Sequence, residues 1–146
     1  MKKIRVILVE DDKDIREMTA GILAAEPDIE LVRSFSNGDN FLKAWDQLEC
    51  DVVLMDINMP GKNGIDCITI AKPQKPAVQF MVCTVFENPG YISQALCNGA
   101  TGYMPKNNTG DLLISAIHEI VQVRHGVGDG KRARVARVDG RVDREL

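Results

Sequence analysis

The most constraining feature of this sequence is an alternation, repeated five times, between short apolar runs and segments with helical spacing. The apolar runs are rich in β-branched residues, which favour strands; they occupy Ile4–Val9, Ile29–Ser34, Val52–Met55, Val78–Thr84 and Gly102–Met104. A helix between successive strands lets them lie parallel and covers both faces of the sheet. The sequence therefore predicts a doubly wound α/β fold with a five-stranded parallel sheet and five helices.

The helices are predicted from spacing and from end signals. Ile15, Met18 and Ile22 lie on one face of the first helix, Asp12 can cap its start, and the Glu26-Pro27 step ends it. The other helices are predicted over residues 38–47, 64–71 and 89–98 and, after a cap at Thr109, through residue 121.

Charge and composition divide the chain into two parts. Residues 1–125 hold 12 basic and 17 acidic side chains, whereas residues 126–146 hold six basic and four acidic ones in a Gly-, Arg- and Val-rich stretch. We predict one domain over 1–125, followed by a disordered tail over 126–146 that is too short for an output domain. The net charge of −3 gives no general attraction to nucleic acid or anionic membranes.

Targeting and redox signals are weak. The apolar run after Met1 is too short for a signal peptide, and nothing approaches the roughly 18 apolar residues of a membrane span. The four cysteines lack ligand-like spacing, which favours unpaired thiols in a reducing compartment. We therefore expect a cytoplasmic protein.

Carboxylates follow two of the predicted strands at the point where each strand ends. The first strand runs into Glu10 and Asp11, and the third runs into Asp56. Ligands of such sheets bind beyond the carboxyl ends of the strands, so these acids should gather at one edge. Oxygen ligands of this kind suit Mg²⁺. An alternative for Asp11 or Asp12 is that it only caps the next helix, but no helix follows Asp56 directly.

Two further groups are expected at the same edge. Thr84 ends the fourth strand, and Lys106 follows the fifth. A carboxylate nucleophile, Mg²⁺, a hydroxyl and a lysine together are typical of sites that handle phosphoryl groups.

The sequence resembles a known family, the response-regulator receiver domains of bacterial two-component signalling. Four motifs occur in the family's order: VILVEDD (6–12), DVVLMDINMPGKNGID (51–66), CTVFEN (83–88) and GATGYMPKNN (99–108). The last two look most like receivers of LuxR-type transcriptional regulators. The resemblance implies the strand order 2-1-3-4-5 and a flavodoxin-like three-layer sandwich.

The resemblance also implies site roles. Asp56 corresponds to the phosphoacceptor, and Mg²⁺ would be held by Glu10, Asp11, Asp56 and the backbone carbonyl of Asn58. Thr84 corresponds to the switch hydroxyl, Tyr103 to the switch aromatic and Lys106 to the phosphate-pairing lysine.

The implied function is a phosphorylation-dependent switch. A sensor histidine kinase would donate the phosphoryl group, Thr84 would move inward, Tyr103 would fill the space, and the face formed by the fourth helix, fifth strand and fifth helix would change. That change would control homodimerisation or a transcriptional output, with DNA bound only through an output domain that this chain lacks. Such a chain is no enzyme beyond its own phosphoryl transfer and slow autodephosphorylation.

Two alternatives stay open. One is a docking module that works without phosphorylation, and the other is a phosphatase with an Asp nucleophile, whose usual D-x-D-x-T pattern is absent after Asp56. Trp45 is expected to pack on the second helix, and His118 and His125 to be solvated helix positions.

Overall fold

The computed structural model describes residues 2–84, 89–105, 110–124, 135–137 and 142–143. The strands are β1 (Ile4–Val9), β2 (Ile29–Phe35), β3 (Val52–Asp56), β4 (Gln79–Thr84), β5 (Gly102–Pro105), β6 (Val135–Arg137) and β7 (Val142–Asp143). The helices are α1 (Lys13–Ala24), α2 (Gly38–Ala44), α3 (Gly64–Ala71), α4 (Pro89–Cys97) and α5 (Gly110–Arg124). Short 3₁₀ turns, Trp45–Gln47 and Lys72–Gln74, extend α2 and α3.

The first five strands form a parallel sheet in the order β2-β1-β3-β4-β5, which confirms the predicted fold and strand order. Every residue of β3 is buried, as expected for a central strand covered on both faces. β1 and β3 are adjacent parallel strands in the interior of the sheet. Their carboxyl ends therefore lie side by side at one edge of the sheet.

Successive side chains of the strands lie on opposite faces of the sheet and form two separate hydrophobic cores. One face, with Ile7, Val53 and Phe80, packs against residues of α2, α3 and α4. The opposite face, with Leu54 and Met81, packs against α1 and α5. The two cores make the domain a three-layer sandwich.

Trp45 lies beyond the end of α2 and deeper than expected. Its side chain is buried, its Nε1 donates to the backbone carbonyl of Ala71 at 3.1 Å, and its ring contacts Phe41 and Phe80. The contact with α2 that the sequence predicts is present through Phe41, but Trp45 also joins α2 to α3 and to β4.

Two short strands extend the sheet past β5. β6 pairs with β5 in parallel, Gly102 opposite Ala136 and Tyr103 opposite Arg137, and β7 pairs with β6 antiparallel. These pairings involve five residues of the segment 126–146, and the disorder predicted for that segment stays a prediction. The domain boundary at residue 125 stays a prediction.

His118 lies in α5 with 44% of its side chain exposed, and it also has a partner that the sequence did not predict. Its Nε2 lies 2.8 Å from Asp28 Oδ2, so α5 is tied to the loop before β2. His125 lies outside the described residues. Among the helices of the described part, none is long and apolar enough to cross a bilayer.

Candidate metal centre

Three carboxylates meet where β1 and β3 end. Val9 pairs with Met55 in the parallel register, which brings the following residues, Glu10 and Asp56, level with each other. One carboxylate oxygen each from Glu10, Asp11 and Asp56 lies within 4.8 Å of the others. Glu10 and Asp56 are buried, at 2% and 1% exposure, whereas Asp11 is exposed. The sheet register thus gathers the acids that the sequence places at separate strand ends.

Glu10 is held by the end of β2 and by the residue that caps α1. Its backbone N–H donates to the carbonyl of Phe35 at 3.0 Å, and its Oε2 accepts the backbone N–H of Asp12 at 3.1 Å. Asp12 in turn caps α1, because its Oδ1 accepts the backbone N–H of Ile15 at 3.0 Å. The capping role predicted for Asp12 is confirmed, and it leaves Asp11 as the acid that turns toward Glu10 and Asp56.

Asp56 is held by the loop that follows it. Its Oδ1 accepts the backbone N–H of Asn58 at 3.2 Å, and the N–H of Gly64 donates to the carbonyl of Ile57 at 3.0 Å. A Cβ on Gly64 would lie 2.2 Å from the carbonyl oxygen of Asp56, so only glycine lets α3 begin this close to β3. The loop also contains Gly61 at a φ of 77°, in the left-handed region.

The donor set fits a hard divalent cation. Glu10 and Asp56 are buried like charges, and at an effective dielectric constant of about 20 two such charges about 5 Å apart repel by about 3 kcal/mol. A cation removes that repulsion, and oxygen ligands with room for water match the preference of Mg²⁺. A small cavity of about 40 Å³ lies beside Glu10 and Asp56, lined further by apolar residues of α1 and by Cys83.

The structure describes only some of the other predicted site residues. Thr84 ends β4 and pairs with Pro105 of β5, which puts its backbone at the same edge, but its side chain lies outside the described part. Lys106 also lies outside the described residues. Asn58 is exposed, and its N–H is the donor to Asp56.

Tyr103 lies in the core. Its side chain is 5% exposed and belongs to the cluster that includes Val82, Ile92 and Ala95. The ring therefore occupies a buried position between β5 and α4 in this structure.

Sequence reasoning missed two residues of this edge, Gly64 and Arg16. Gly64 stands after Asn63, which caps α3, so its position at the start of a helix was visible but its approach to Asp56 was not. Arg16 of α1 donates from Nη1 to the carbonyls of Glu10 and Asp11, at 2.8 and 3.4 Å. The sequence signal that could have identified Arg16 is its position as a basic residue five positions after Asp11, in the first turn of α1.

A buried thiol lies beneath the same edge. Cys67 of α3 is fully buried, and a Cβ on Gly38 would lie 2.4 Å from its Sγ. Burial, with the nearby carboxylates of Asp66 and Asp39, raises the pKa of the Cys67 thiol to about 11. Cys67 is therefore a packing residue and stays protonated at neutral pH.

Fold and site together define the class of protein: a doubly wound α/β domain with an acidic site at the carboxyl ends of its central strands. Residues 6–118 match the family described as response regulator receiver domain, and the chain belongs to that family. The resemblance predicted from the four motifs is confirmed.

Two of the similar proteins are transcriptional regulatory proteins. The chain is 33% identical over 120 residues to the transcriptional regulatory protein DegU of Brevibacillus brevis, covering 82% of this chain and 51% of that protein. It is 31% identical over 114 residues to the transcriptional regulatory protein LnrK of Bacillus subtilis, covering 78% of this chain and 52% of that protein. The chain thus spans about half the length of these curated relatives.

Solved structures show the same fold. The signal receiver domain of NarL from Mycobacterium tuberculosis superposes with a TM-score of 0.79 at 23% identity, over 84% of this chain and 98% of that one. A LuxR-family response regulator from Aurantimonas sp. gives a TM-score of 0.78 at 24% identity, over 84% and 88% of the two chains.

Proposed function

We propose that this chain is a phosphorylation-dependent signalling switch in which Asp56 accepts a phosphoryl group from a sensor histidine kinase. The observation that carries the proposal is the meeting of Glu10, Asp11 and Asp56 at the sheet edge, in a chain of the receiver family. Receiver domains of transcriptional regulators are generally not enzymes, and we assign this one only its own phosphoryl transfer and slow autodephosphorylation.

The transfer uses the Asp56 carboxylate as nucleophile. One of its oxygens bonds to phosphorus while the phosphorus–nitrogen bond of the kinase's phosphohistidine breaks, and the bond electrons return to the imidazole nitrogen. The product is an acyl phosphate on Asp56. The N–H of Asn58, donating to Oδ1, fixes the plane of the carboxylate and so the direction from which it attacks.

Glu10, Asp11, Asp56 and the backbone carbonyl of Asn58 are the groups that would hold Mg²⁺. When bound, Mg²⁺ supplies positive charge that offsets the charge of the nucleophile and of the phosphoryl oxygens. The three carboxylates that the structure brings together support this set, because without a cation their mutual repulsion would also oppose an incoming phosphoryl dianion.

We assign the conformational response to phosphorylation to Thr84, Lys106 and Tyr103. Lys106 would pair with a phosphoryl oxygen, and Thr84 would move toward another. Tyr103 is buried beside α4, and this position supports its assignment as the aromatic residue of the switch. The altered surface would be formed by α4, β5 and α5.

The partners follow from the same proposal. A sensor histidine kinase in the cytoplasm would phosphorylate the domain, homodimerisation would follow, and DNA would be reached only through an output domain. The named relatives are transcriptional regulators about twice the matched length, which supports a role in transcription regulation.

Intact-mass analysis after incubation with acetyl phosphate and Mg²⁺ tests the assignment. We expect wild type to gain one phosphoryl group, and Asp56→Asn to gain none. Asp66→Asn, which changes an exposed acid in the first turn of α3, is the matched control and should behave as wild type. Modification of Asp56→Asn would overturn the site, and labelling of wild type in EDTA would overturn the role of Mg²⁺. A wild-type protein that never labels would favour the phosphorylation-independent docking module.

A further inference from the structure

The charged side chain of Arg16 donates its hydrogen bonds to backbone carbonyls. Its guanidinium lies next to an acidic site, yet its Nη1 donates to two backbone carbonyls, those of Glu10 at 2.8 Å and Asp11 at 3.4 Å. The side chain is half-buried. Hydrogen bonds from a charged donor are roughly twice as strong as neutral ones, so the carbonyl of Glu10 is firmly oriented, and the longer contact adds a weaker restraint on the carbonyl of Asp11.

The backbone of Arg16 is also bonded to the loop that its guanidinium contacts. The backbone N–H of Arg16 donates to the carbonyl of Asp12 at 2.9 Å, in the turn that the Asp12 side chain caps. The loop between β1 and α1 is therefore fixed at one end by the sheet, through the N–H of Glu10, and across its middle by Arg16. Orienting the carbonyls of residues 10 and 11 orients the peptide planes on either side of the Asp11 side chain.

Charge alone and position alone predict opposite effects on cation binding. A positive charge beside Glu10 and Asp11 repels a divalent cation, so removing it would tighten binding. A donor that holds two ligand-bearing residues in place favours binding, so removing it would weaken binding. The sign of the change therefore distinguishes the two roles.

We propose that Arg16 is a positioning residue that presents the Glu10 and Asp11 carboxylates to the divalent cation. The inference rests on the proposed function, since it assumes that this edge binds Mg²⁺. Arg16 acts through the backbone of the ligand residues and does not contact the cation.

Titration calorimetry with Mg²⁺ alone, on the full chain, tests this role. We expect Arg16→Ala to raise the dissociation constant about tenfold, the lower end of the range for residues that orient metal ligands. Arg16→Lys keeps the charge but loses the planar donor group, and we expect a several-fold rise. Lys13→Ala is the matched control: it removes an exposed positive charge from the same helix, and should leave affinity unchanged or slightly tighter.

Hydrogen exchange gives a second readout. The backbone N–H of Asp12 donates to Glu10 Oε2, and it should exchange faster in Arg16→Ala than in Lys13→Ala if Arg16 orders the loop. Circular dichroism checks that each variant is folded. If Arg16→Ala does not fold, the same measurements are made on Arg16→Lys. Equal or tighter Mg²⁺ binding by the Arg16 variants would overturn this inference alone. Absence of Mg²⁺ binding by wild type would overturn the proposed function and this inference with it.

Discussion

The two ends of the sheet both hold charged side chains beside buried strands, but they arrange them in opposite ways. At the amino ends, Asp51 accepts the backbone N–H of Arg5 at 2.9 Å and its Nε at 3.4 Å, and this hydrogen bond raises the pKa of Arg5. At the carboxyl ends, Glu10, Asp11 and Asp56 bring like charges together. The first arrangement pairs opposite charges within the protein, whereas the second gathers like charges at a candidate cation site.

Other polar groups at the amino ends follow the first pattern. Lys75 donates to the carbonyls of Trp45 and Leu48, and Lys72 donates to the carbonyl of Val78 at 2.7 Å. Burial lowers the pKa of Lys72, but the carbonyl oxygens around its Nζ suit the charged form. Each of these cations donates to backbone carbonyls of the protein.

The sharpest test of the comparison replaces one buried acid at each end by its amide. Asp51→Asn leaves Arg5 beside a neutral group, and we expect the free energy of unfolding to fall by about 3 kcal/mol. Asp56→Asn removes one of the clustered charges, and we expect the free energy of unfolding to rise by about 1–2 kcal/mol in Mg²⁺-free buffer. Urea unfolding followed by circular dichroism measures both.

The two substitutions should change the free energy of unfolding in opposite directions, and this difference tests the comparison. If both variants lost stability to a similar degree, the carboxyl end would be a structural charge network like the amino end. Added Mg²⁺ should stabilise wild type and should stabilise Asp56→Asn less, because the variant has lost a ligand.

A second comparison uses two glycines. Gly64→Ala places a Cβ against the carbonyl of Asp56, so we expect a loss of about 2 kcal/mol in unfolding free energy and a lower extent of phosphorylation. Gly21→Ala, in the middle of α1, meets no atom within 4 Å and should gain about 0.5–1 kcal/mol from helix propensity. Normal phosphorylation by Gly64→Ala would show that α3 can move away from Asp56 without harm.

The smallest expected effect is a pH dependence beneath the carboxyl end. The pKa of Cys67 is raised from 9.0 to about 11 in the folded protein, so the unfolded chain loses its thiol proton first. The stability that this group contributes is complete below pH 9 and is lost as pH rises toward 11, by about 1 kcal/mol. The difference in unfolding free energy between wild type and Cys67→Ala, measured from pH 8 to pH 11, isolates the thiol. A difference that does not vary with pH would contradict the assignment.

Local signals predicted most of the fold. The boundaries of the first five strands agree within one residue, because apolar runs, the proline after Glu26 and the capping side chain of Asp12 act within a few positions. The acids at the ends of β1 and β3 could be predicted to gather for the same reason: parallel strands place their carboxyl ends at one edge.

The rest depends on contacts between distant parts of the chain. His118 meets Asp28 across 90 positions, and the Nε1 of Trp45 meets the carbonyl of Ala71 across 26. No local pattern encodes either contact. Arg16 was missed for another reason, since a basic residue on an exposed helix is usually solvated and its partners here are carbonyls, which every residue carries.

The position of Trp45 has a practical consequence for spectroscopy. It is the only tryptophan of the chain, and its ring lies among Phe41, Phe80 and the ammonium of Lys75, near the amino ends of the strands. Its fluorescence will therefore report whether the domain is folded and will respond little to events at Asp56. Unfolding can be followed optically in the phosphorylated and unphosphorylated protein with one signal, while occupancy of the site needs a probe placed elsewhere.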